Sequence, residues 1–333
     1  MKINRVCMIG GTGFVGHALA RQLSGAGYAC RIVSRHPHRH RDLKLLPGVE
    51  LTEADVFNPQ ALRRQIEDCD AVVNLVGILN EAGETQSFRR VHVALVDSIV
   101  DAMRDTGVPR LLHMSAVNAH ADKGSSEYLR TKGEGEDHAH HRGGGAVQTT
   151  SFRPSVIFGP GDSFFNRFAT LLRSLPGPFP LACPETRFAP IYAGDVALAF
   201  QKGLEDPTTI SQRYDLCGPE AYTLRELVVY TARTLGMDKT VIGLSDRSSR
   251  LQARILGHLP GRPFTYDNYL SMQTDSLCRT NGLQALGITP TPIESIVPLY
   301  LSPEGDQRRR YRRLRSLAAR ADAGSAASSP ARR

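Results

Sequence analysis

The chain has 333 residues, 41% of them hydrophobic and 22% charged, enough to bury one large α/β core and a smaller lobe; this excludes disorder of the whole. The net charge is +8, and residues 308–333 hold nine arginines against one acid, Asp322, so residues 1–307 are neutral. A folded nucleic-acid-binding face is therefore not expected, because such a face carries its charge within the fold.

No apolar run reaches the roughly eighteen residues of a membrane helix, and Gly10 interrupts the N-terminal stretch too early for a signal peptide. A cytoplasmic location is the expectation. Residues 307–333 read as a basic, largely disordered tail, in which Tyr311, Leu314 and Leu317 offer a short amphipathic pattern suited to peripheral contact with the inner face of a membrane. The six cysteines lie far apart with no Cys-x-x-Cys pair, so reduced, mostly buried thiols are expected and no metal site.

Strands alternate with helices, the pattern of a parallel sheet with crossover helices. The first strand is expected over Arg5 to Ile9, followed by a glycine turn and a helix from Phe14 to Gly25. Arg31 to Ser34, Glu50 to Ala54 and Ala71 to Val76 read as the next three strands, the last apolar enough to be buried on both faces. Arg110 to Met114 and Gln148 to Arg153 supply two more. Pro154 to Pro190, rich in proline and phenylalanine, reads as long loops and short helices of a second lobe. Ile191 to Leu204 and Arg213 to Leu216 read as a helix and a strand returning to the main sheet. The expected fold is thus α/β, a Rossmann doubly wound parallel sheet over residues 1–158 with a smaller, interleaved C-terminal substrate lobe over 159–306, of which 191–217 return to the sheet.

Gly10-Gly11-Thr12-Gly13-Phe14-Val15-Gly16 stands between the first strand and the first helix. The first glycine permits the turn, Gly13 lets amides approach a pyrophosphate, and Gly16 lets the helix pack on the strand. A ligand-free turn would not need three glycines at this spacing. Where a carboxylate would hold the ribose 2′-hydroxyl of NAD(H), the second strand ends in Ser34-Arg35; a guanidinium there favours the 2′-phosphate of NADP(H) over NAD(H). The alternative is that Arg35, with His36, His38, Arg39 and His40, forms a solvated loop.

Tyr128 and Lys132 stand four apart on a helix expected to start near Ser126, so both project from one face. An ammonium beside a phenol is expected to lower its pKa and suit it to proton transfer, with Ser115, at the end of the fifth strand, bonding the same substrate oxygen. The bland alternative is an exposed helical pair.

On Gly10 to Gly16, Asp55, Asn74 to Gly77, Ser115, Tyr128 to Lys132 and Arg153 to Pro160, the chain resembles an extended or atypical short-chain dehydrogenase/reductase. On Arg153 to Asp162, Asn166 to Ala169 and Leu286 to Glu294 it is most similar to bacterial relatives of the nucleotide-binding accessory subunit of respiratory complex I. The resemblance covers about residues 3–301. It implies cofactor contacts at Asp55, Val56, Leu75, Val76, Gly77, Tyr128, Lys132, Pro154 and Val156, and catalytic roles for Ser115, Tyr128 and Lys132. Two departures stand out. The family's helical asparagine is replaced near Val91-His92-Val93, which removes the usual residue of a proton relay. Ser115 is followed by Ala116-Val117 without the acidic pair of sugar-nucleotide dehydratases. Gly159 to Pro190 is dense in phenylalanine and leucine and offers only Arg167, Arg173 and Arg187 for a second diphosphate, and the complex I resemblance implies work near quinones and lipid, so an oxidoreductase acting on a lipophilic, quinone- or isoprenoid-like small molecule is the leading expectation. A non-catalytic cofactor-holding module that contacts a respiratory complex, a redox-sensing regulator and a sugar-nucleotide epimerase are the alternatives. Phe164, Phe165, Phe168, Leu171, Leu172, Phe179 and Leu181 either line an apolar pocket or form the lobe's own core, the latter being the default for such side chains.

Overall fold

The computed structural model describes residues 2–259 and 262–302, so the expectations for the arginine tail fall outside the described residues. In chain order the main elements are β1 (Arg5–Ile9), α1 (Phe14–Gly25), β2 (Ala29–Ser34), β3 (Val49–Glu53), α2 (Pro59–Ile66), β4 (Ala71–Asn74), a π-helical turn (Arg90–Ala94) running into α3 (Leu95–Thr106), β5 (Arg110–Met114), α4 (Glu127–His141) and β6 (Gln148–Pro154). There follow β7 (Ile157–Phe158), α5 (Phe165–Ser174), β8 (Phe179–Leu181), β9 (Arg187–Phe188), β10 (Ile191–Tyr192), α6 (Ala193–Glu205), β11 (Arg213–Leu216), β12 (Tyr222–Thr223), α7 (Leu224–Thr234), β13 (Val241–Gly243), α8 (Asp246–Leu256), α9 (Tyr266–Ser271), α10 (Gly282–Ala285) and α11 (Ile293–Leu301).

Seven strands form one sheet in the order β11-β6-β5-β4-β1-β2-β3, every pairing parallel. The order reverses beside β1, which opens a crevice at the carboxyl ends of β1 and β4, the position where such sheets bind ligands. Alternation along β1 sets the two cores. Val6 and Met8 face α1 and α6 with Leu19, Leu23, Val196 and Phe200, while Cys7 and Ile9 face α2, α3 and α4 with Leu62, Ile66, Ile99 and Ala139. Leu216, Leu283 and Ile288, from far along the chain, complete the first of these cores.

A buried guanidinium ties the late edge of the sheet together. Arg110 donates to the Gln148 carbonyl (2.8 Å), Thr150 Oγ1 (2.6 Å), the Gly203 carbonyl (2.6 Å) and Thr209 Oγ1 (3.0 Å), linking β5, β6 and α6. Its burial pulls its pKa down to about 10.

The second lobe packs α5, α7 and α11 around Phe158, Phe165, Leu172, Phe179, Leu181, Leu227 and Val297. Phe164, Phe168 and Leu171 pack against that cluster, so the apolar segment is the lobe's own core. Strand limits shift by one or two residues from expectation: β2 begins at Ala29, and β4 ends at Asn74, where the chain turns into the crevice. Ile191–Tyr192 is a short strand paired with β7, and α6 begins only at Ala193. The expectation of wholly reduced cysteines is corrected. Cys217 and Cys278 form a disulfide with Cα atoms 6.0 Å apart, joining the end of β11 to the segment after α9; Cys7, Cys30, Cys69 and Cys183 are free. A separation of 61 residues and the absence of any local cysteine motif hid this pairing in the sequence.

Candidate nucleotide-binding crevice and active site

The glycine loop leaves β1 and enters α1 without a side-chain cap. Gly13 is the N-cap, in extended conformation, and the first turn of α1 holds no acidic residue, so its free amides face outward with nothing to compete with an anion. The Gly13 N–H closes the turn onto the Gly10 carbonyl at 3.0 Å. A Cβ at Gly16 would lie 2.3 Å from the Gly11 carbonyl oxygen, so the helix approaches the loop at a distance that only glycine allows. Val15 and Gly16 are buried, Thr12 and Phe14 half-buried, and Gly13 exposed. These features fit a dinucleotide pyrophosphate.

Beside the loop, Ser34 Oγ accepts from the His36 N–H at 3.2 Å, and Arg35 is exposed with no hydrogen bond or ion pair to any described residue. Its guanidinium is free to meet an anion at the end of β2. Asp55, exposed, accepts from the Phe57 N–H at 3.1 Å, and Val56 packs on the α2–α3 core. Leu75 is held to β1 by its N–H on the Ile9 carbonyl (2.9 Å), and the Val76 N–H is held by Asn74 Oδ1 (3.1 Å), leaving Gly77 exposed at the crevice. Pro154 ends β6, where its carbonyl accepts from Val117, and the Val156 carbonyl accepts from Ile191. Among the described residues no group of three His, Cys, Asp or Glu comes together as a metal site.

Helix α4 starts at its N-cap Ser126, whose hydroxyl accepts from the Leu129 N–H. Asp267 adds a second cap, accepting from Glu127 N–H (2.7 Å) and Tyr128 N–H (3.3 Å). Lys132, 4% exposed, donates from Nζ to the Met114 carbonyl at 2.5 Å and stands 3.8 Å from where a Cβ of Gly77 would be, so it borders the crevice at the end of β4. Burial lowers its pKa to about 8 despite the opposing Glu136 carboxylate. The Tyr128 ring packs edge-on against Phe88 and His92, with centroids 5.9 and 5.5 Å away.

The expected depression of the Tyr128 pKa is not found. Burial first, and the Asp267 carboxylate second, push it up to about 12, while the Lys132 ammonium is bonded to Met114. Ser115 is in place at the end of β5, but its hydroxyl donates to Glu136 Oε2 at 2.8 Å. Glu136 is fully buried and receives Arg153 Nε on both oxygens at 2.9 Å, with Arg213 Nε at 3.4 Å. The spacing Tyr128, Lys132, Glu136 was the available signal for this carboxylate, since i, i+4, i+8 keeps all three on one helix face.

His92 occupies the place of the missing asparagine, in the π-helical turn. Its Nε2 accepts from the Ile78 N–H (3.1 Å), so the neutral ring carries its proton on Nδ1, which donates to Thr131 Oγ1 (3.0 Å); that hydroxyl in turn donates to the Glu127 carbonyl (2.8 Å). Burial and the nearby Lys132 charge press its pKa down to about 2. With both nitrogens engaged, His92 fixes the loop after β4 onto the start of α4. Close packing of α4 on this turn requires Gly135, where a Cβ would fall 1.9 Å from the His92 carbonyl oxygen.

The fold and crevice have the form of a dinucleotide-binding domain, and residues 10–150 match the NAD(P)H-binding family model. The glycine loop and the sheet order agree with the extended short-chain dehydrogenase/reductase resemblance. The chain is 28% identical over 309 residues to the mouse mitochondrial NADH dehydrogenase [ubiquinone] 1 alpha subcomplex subunit 9, covering 86% of this chain and 77% of that protein. It is 27% identical over 244 residues to the ceramide reductase of Caulobacter vibrioides, covering 72% of this chain and 74% of that protein. Among solved structures, MoeE5 in complex with UDP-glucuronic acid and NAD superposes with a TM-score of 0.69 at 20% identity, over 92% of this chain and all of that one, a likeness of fold.

Proposed function

We propose that the protein is an NADP(H)-dependent reductase in which Tyr128 is the acid that protonates the oxygen of a small lipophilic carbonyl or quinone substrate. The carrying observation is Tyr128 and Lys132 on one face of α4, with Lys132 Nζ against Gly77 at the crevice. When bound, the cofactor supplies the hydride. A phenol held near 12 is protonated at neutral pH, which suits a proton donor and hence the reductive direction. Lys132 anchors the crevice end of α4 through Met114, and Ser115, its proton held by Glu136, cannot donate to the substrate oxygen unless it releases that carboxylate, which leaves Tyr128 as the proton donor. The unpaired guanidinium of Arg35 supports NADP(H) over NAD(H).

The inward phenylalanines of the second lobe no longer argue for a lipophilic substrate. The support is the Caulobacter relative, which is by name a reductase of a lipid, and the absence from Gly159–Pro190 of cations beyond Arg167, Arg173 and Arg187 for a second diphosphate. A second reading, a cofactor-holding module that contacts a respiratory complex or, through the arginine tail, a membrane, is favoured by the mouse relative and by the engagement of Ser115 and Lys132 with the protein itself.

Tyr128→Phe separates the two. In a reductase it lowers turnover of a quinone or long-chain ketone by about a hundredfold while NADPH affinity is nearly unchanged. Conversion of a nucleotide sugar alone would overturn the lipophilic substrate. No turnover, with a silent Tyr128→Phe and a deleterious glycine-loop variant in cells, would establish the module.

A further inference from the structure

Large apolar side chains stand in solvent on one contiguous surface: Leu251 (58% exposed), Ile255 (57%), Leu259 (47%) and Tyr266 (37%), with Leu79 (53%) beside them in the loop after β4. Hydrogen bonds join these segments: Asn268 Nδ2 donates to the Leu79 carbonyl (3.2 Å), Thr265 Oγ1 to Asn80 Oδ1 (3.2 Å) and Arg262 Nη1 to the Glu81 carbonyl (2.5 Å). Single exposed leucines are ordinary on a soluble surface, but a continuous stripe is not.

Helix α8 shows how the stripe arises. It buries only Ser249 and Ala253, one turn apart, so the opposite face carries Leu251 and Ile255 with Arg247, Arg250 and Arg254 along its flanks. The guanidinium groups of Arg250 and Arg254 lie 5.9 and 5.5 Å from the Tyr266 ring. Between residues 246 and 266 the sequence has four arginines and one acid, Asp246, which is occupied by the Tyr269 hydroxyl at 2.7 Å. None of Arg247, Arg250 and Arg254 forms an ion pair with a described residue.

We propose that this face docks on an anionic lipid bilayer, with Leu251, Ile255 and Leu259 in the boundary between headgroups and acyl chains and the arginines on headgroup phosphates. A helix with an apolar outer stripe edged by arginines has the composition of an interfacial helix. A second copy of this chain fits less well, because a two-fold contact sets like charges against one another. The same surface joins the loop Leu79–Glu81 and, through Asp267, the start of α4, so docking brings the mouth of the crevice to the depth where lipids present their headgroups. The inference stands whether or not the protein turns over a substrate, and it differs from attraction by the arginine tail.

The chain has no tryptophan, so Leu251→Trp in the full-length protein gives a single emitter on this face, and Leu45→Trp, at a site 84% exposed beside β3, gives a control. Both are titrated with vesicles of equal parts phosphatidylcholine and phosphatidylglycerol, with and without spin-labelled acyl chains. The expected result is a blue shift and quenching for Leu251→Trp only. In the otherwise native chain, Leu251→Gln with Ile255→Gln weakens vesicle sedimentation by at least about tenfold at a salt concentration that screens the tail. Binding with unchanged Leu251→Trp emission, which the tail alone would give, overturns the proposal, as does absence of binding. A blue shift that grows with protein concentration in the absence of lipid also overturns it, in favour of a second copy.

Discussion

Three glycines at the start and end of one helix separate stability from nucleotide binding. An alanine at Gly16 would place its Cβ 2.3 Å from the Gly11 carbonyl oxygen and 2.4 Å from its carbon; both are backbone, so α1 must lift from β1. Overpacking of this kind costs about 3 kcal/mol, a fall in Tm of roughly 4 °C for a chain of this size. At Gly13 the new methyl meets only the Gly10 carbonyl oxygen, at 3.2 Å, so the fold should lose less than about 1 kcal/mol, but the methyl occupies the approach to the α1 amides. At Gly25 nothing lies within 4 Å, and the substitution should stabilise by about 0.5–1 kcal/mol through the unfolded chain. Thermal unfolding with and without NADPH reads both properties. At a ligand concentration of about 100 Kd the native protein gains about 2.7 kcal/mol, and a hundredfold weaker site keeps only about 0.4 kcal/mol of it. The reasoning fails if Gly13→Ala retains the full NADPH-induced shift, or if Gly16→Ala melts with the native protein.

The other expectations concern charge and cross-linking. Arg35→Ala should cut the preference for NADPH over NADH by about tenfold, read by fluorescence titration of both; an unchanged ratio refutes the phosphate role. His92, His113 and His140 are held neutral by burial, with pKa values about 2, well below the usual value and about 4. Their folded values lie below the unfolded value near 6.5, so the stability that goes with the neutral rings is complete above pH 6.5 and is lost as the pH falls, by up to about 1.4 kcal/mol per pH unit for each ring. Urea titrations stepped across that window should show the loss, and His140→Gln should reduce the slope. Thiol titration of unfolded, unreduced protein should find four free cysteines, and reduction should lower stability by at most about 4 kcal/mol, the chain-entropy value for a loop of this length.

Much of this structure is legible in the sequence because its signals are local. The strands from Arg5 to Met114 are short apolar runs bounded by turns, and the glycine loop carries its geometry in its spacing. What is not legible depends on distant partners. Glu136 reads as one more charge on a polar helix until Ser115 and Arg153 are brought to it from two strands. Nothing near Cys217 announces Cys278. His92 is visible as a replacement, but its role depends on the Ile78 amide and the Thr131 hydroxyl, which only the fold supplies. The phenylalanines after Gly159 show the limit of composition, since core and pocket ask for the same residues and only their direction separates them.

The contact of α1 with α6 bears on how the chain comes to be made. Leu19 and Leu23 of α1, built early in synthesis, find their cover in Val196, Phe200 and Leu204, and the same core closes only with Leu216, Leu283 and Ile288. The nucleotide-binding half therefore cannot finish folding as it leaves the ribosome. Its first helix waits, with an apolar face open, until α6 (Ala193–Glu205) has been translated, and the core closes only with Ile288. A fragment ending at residue 158 has the whole glycine loop but lacks the wall behind it, and the interval before that wall arrives is when a growing chain most needs a chaperone.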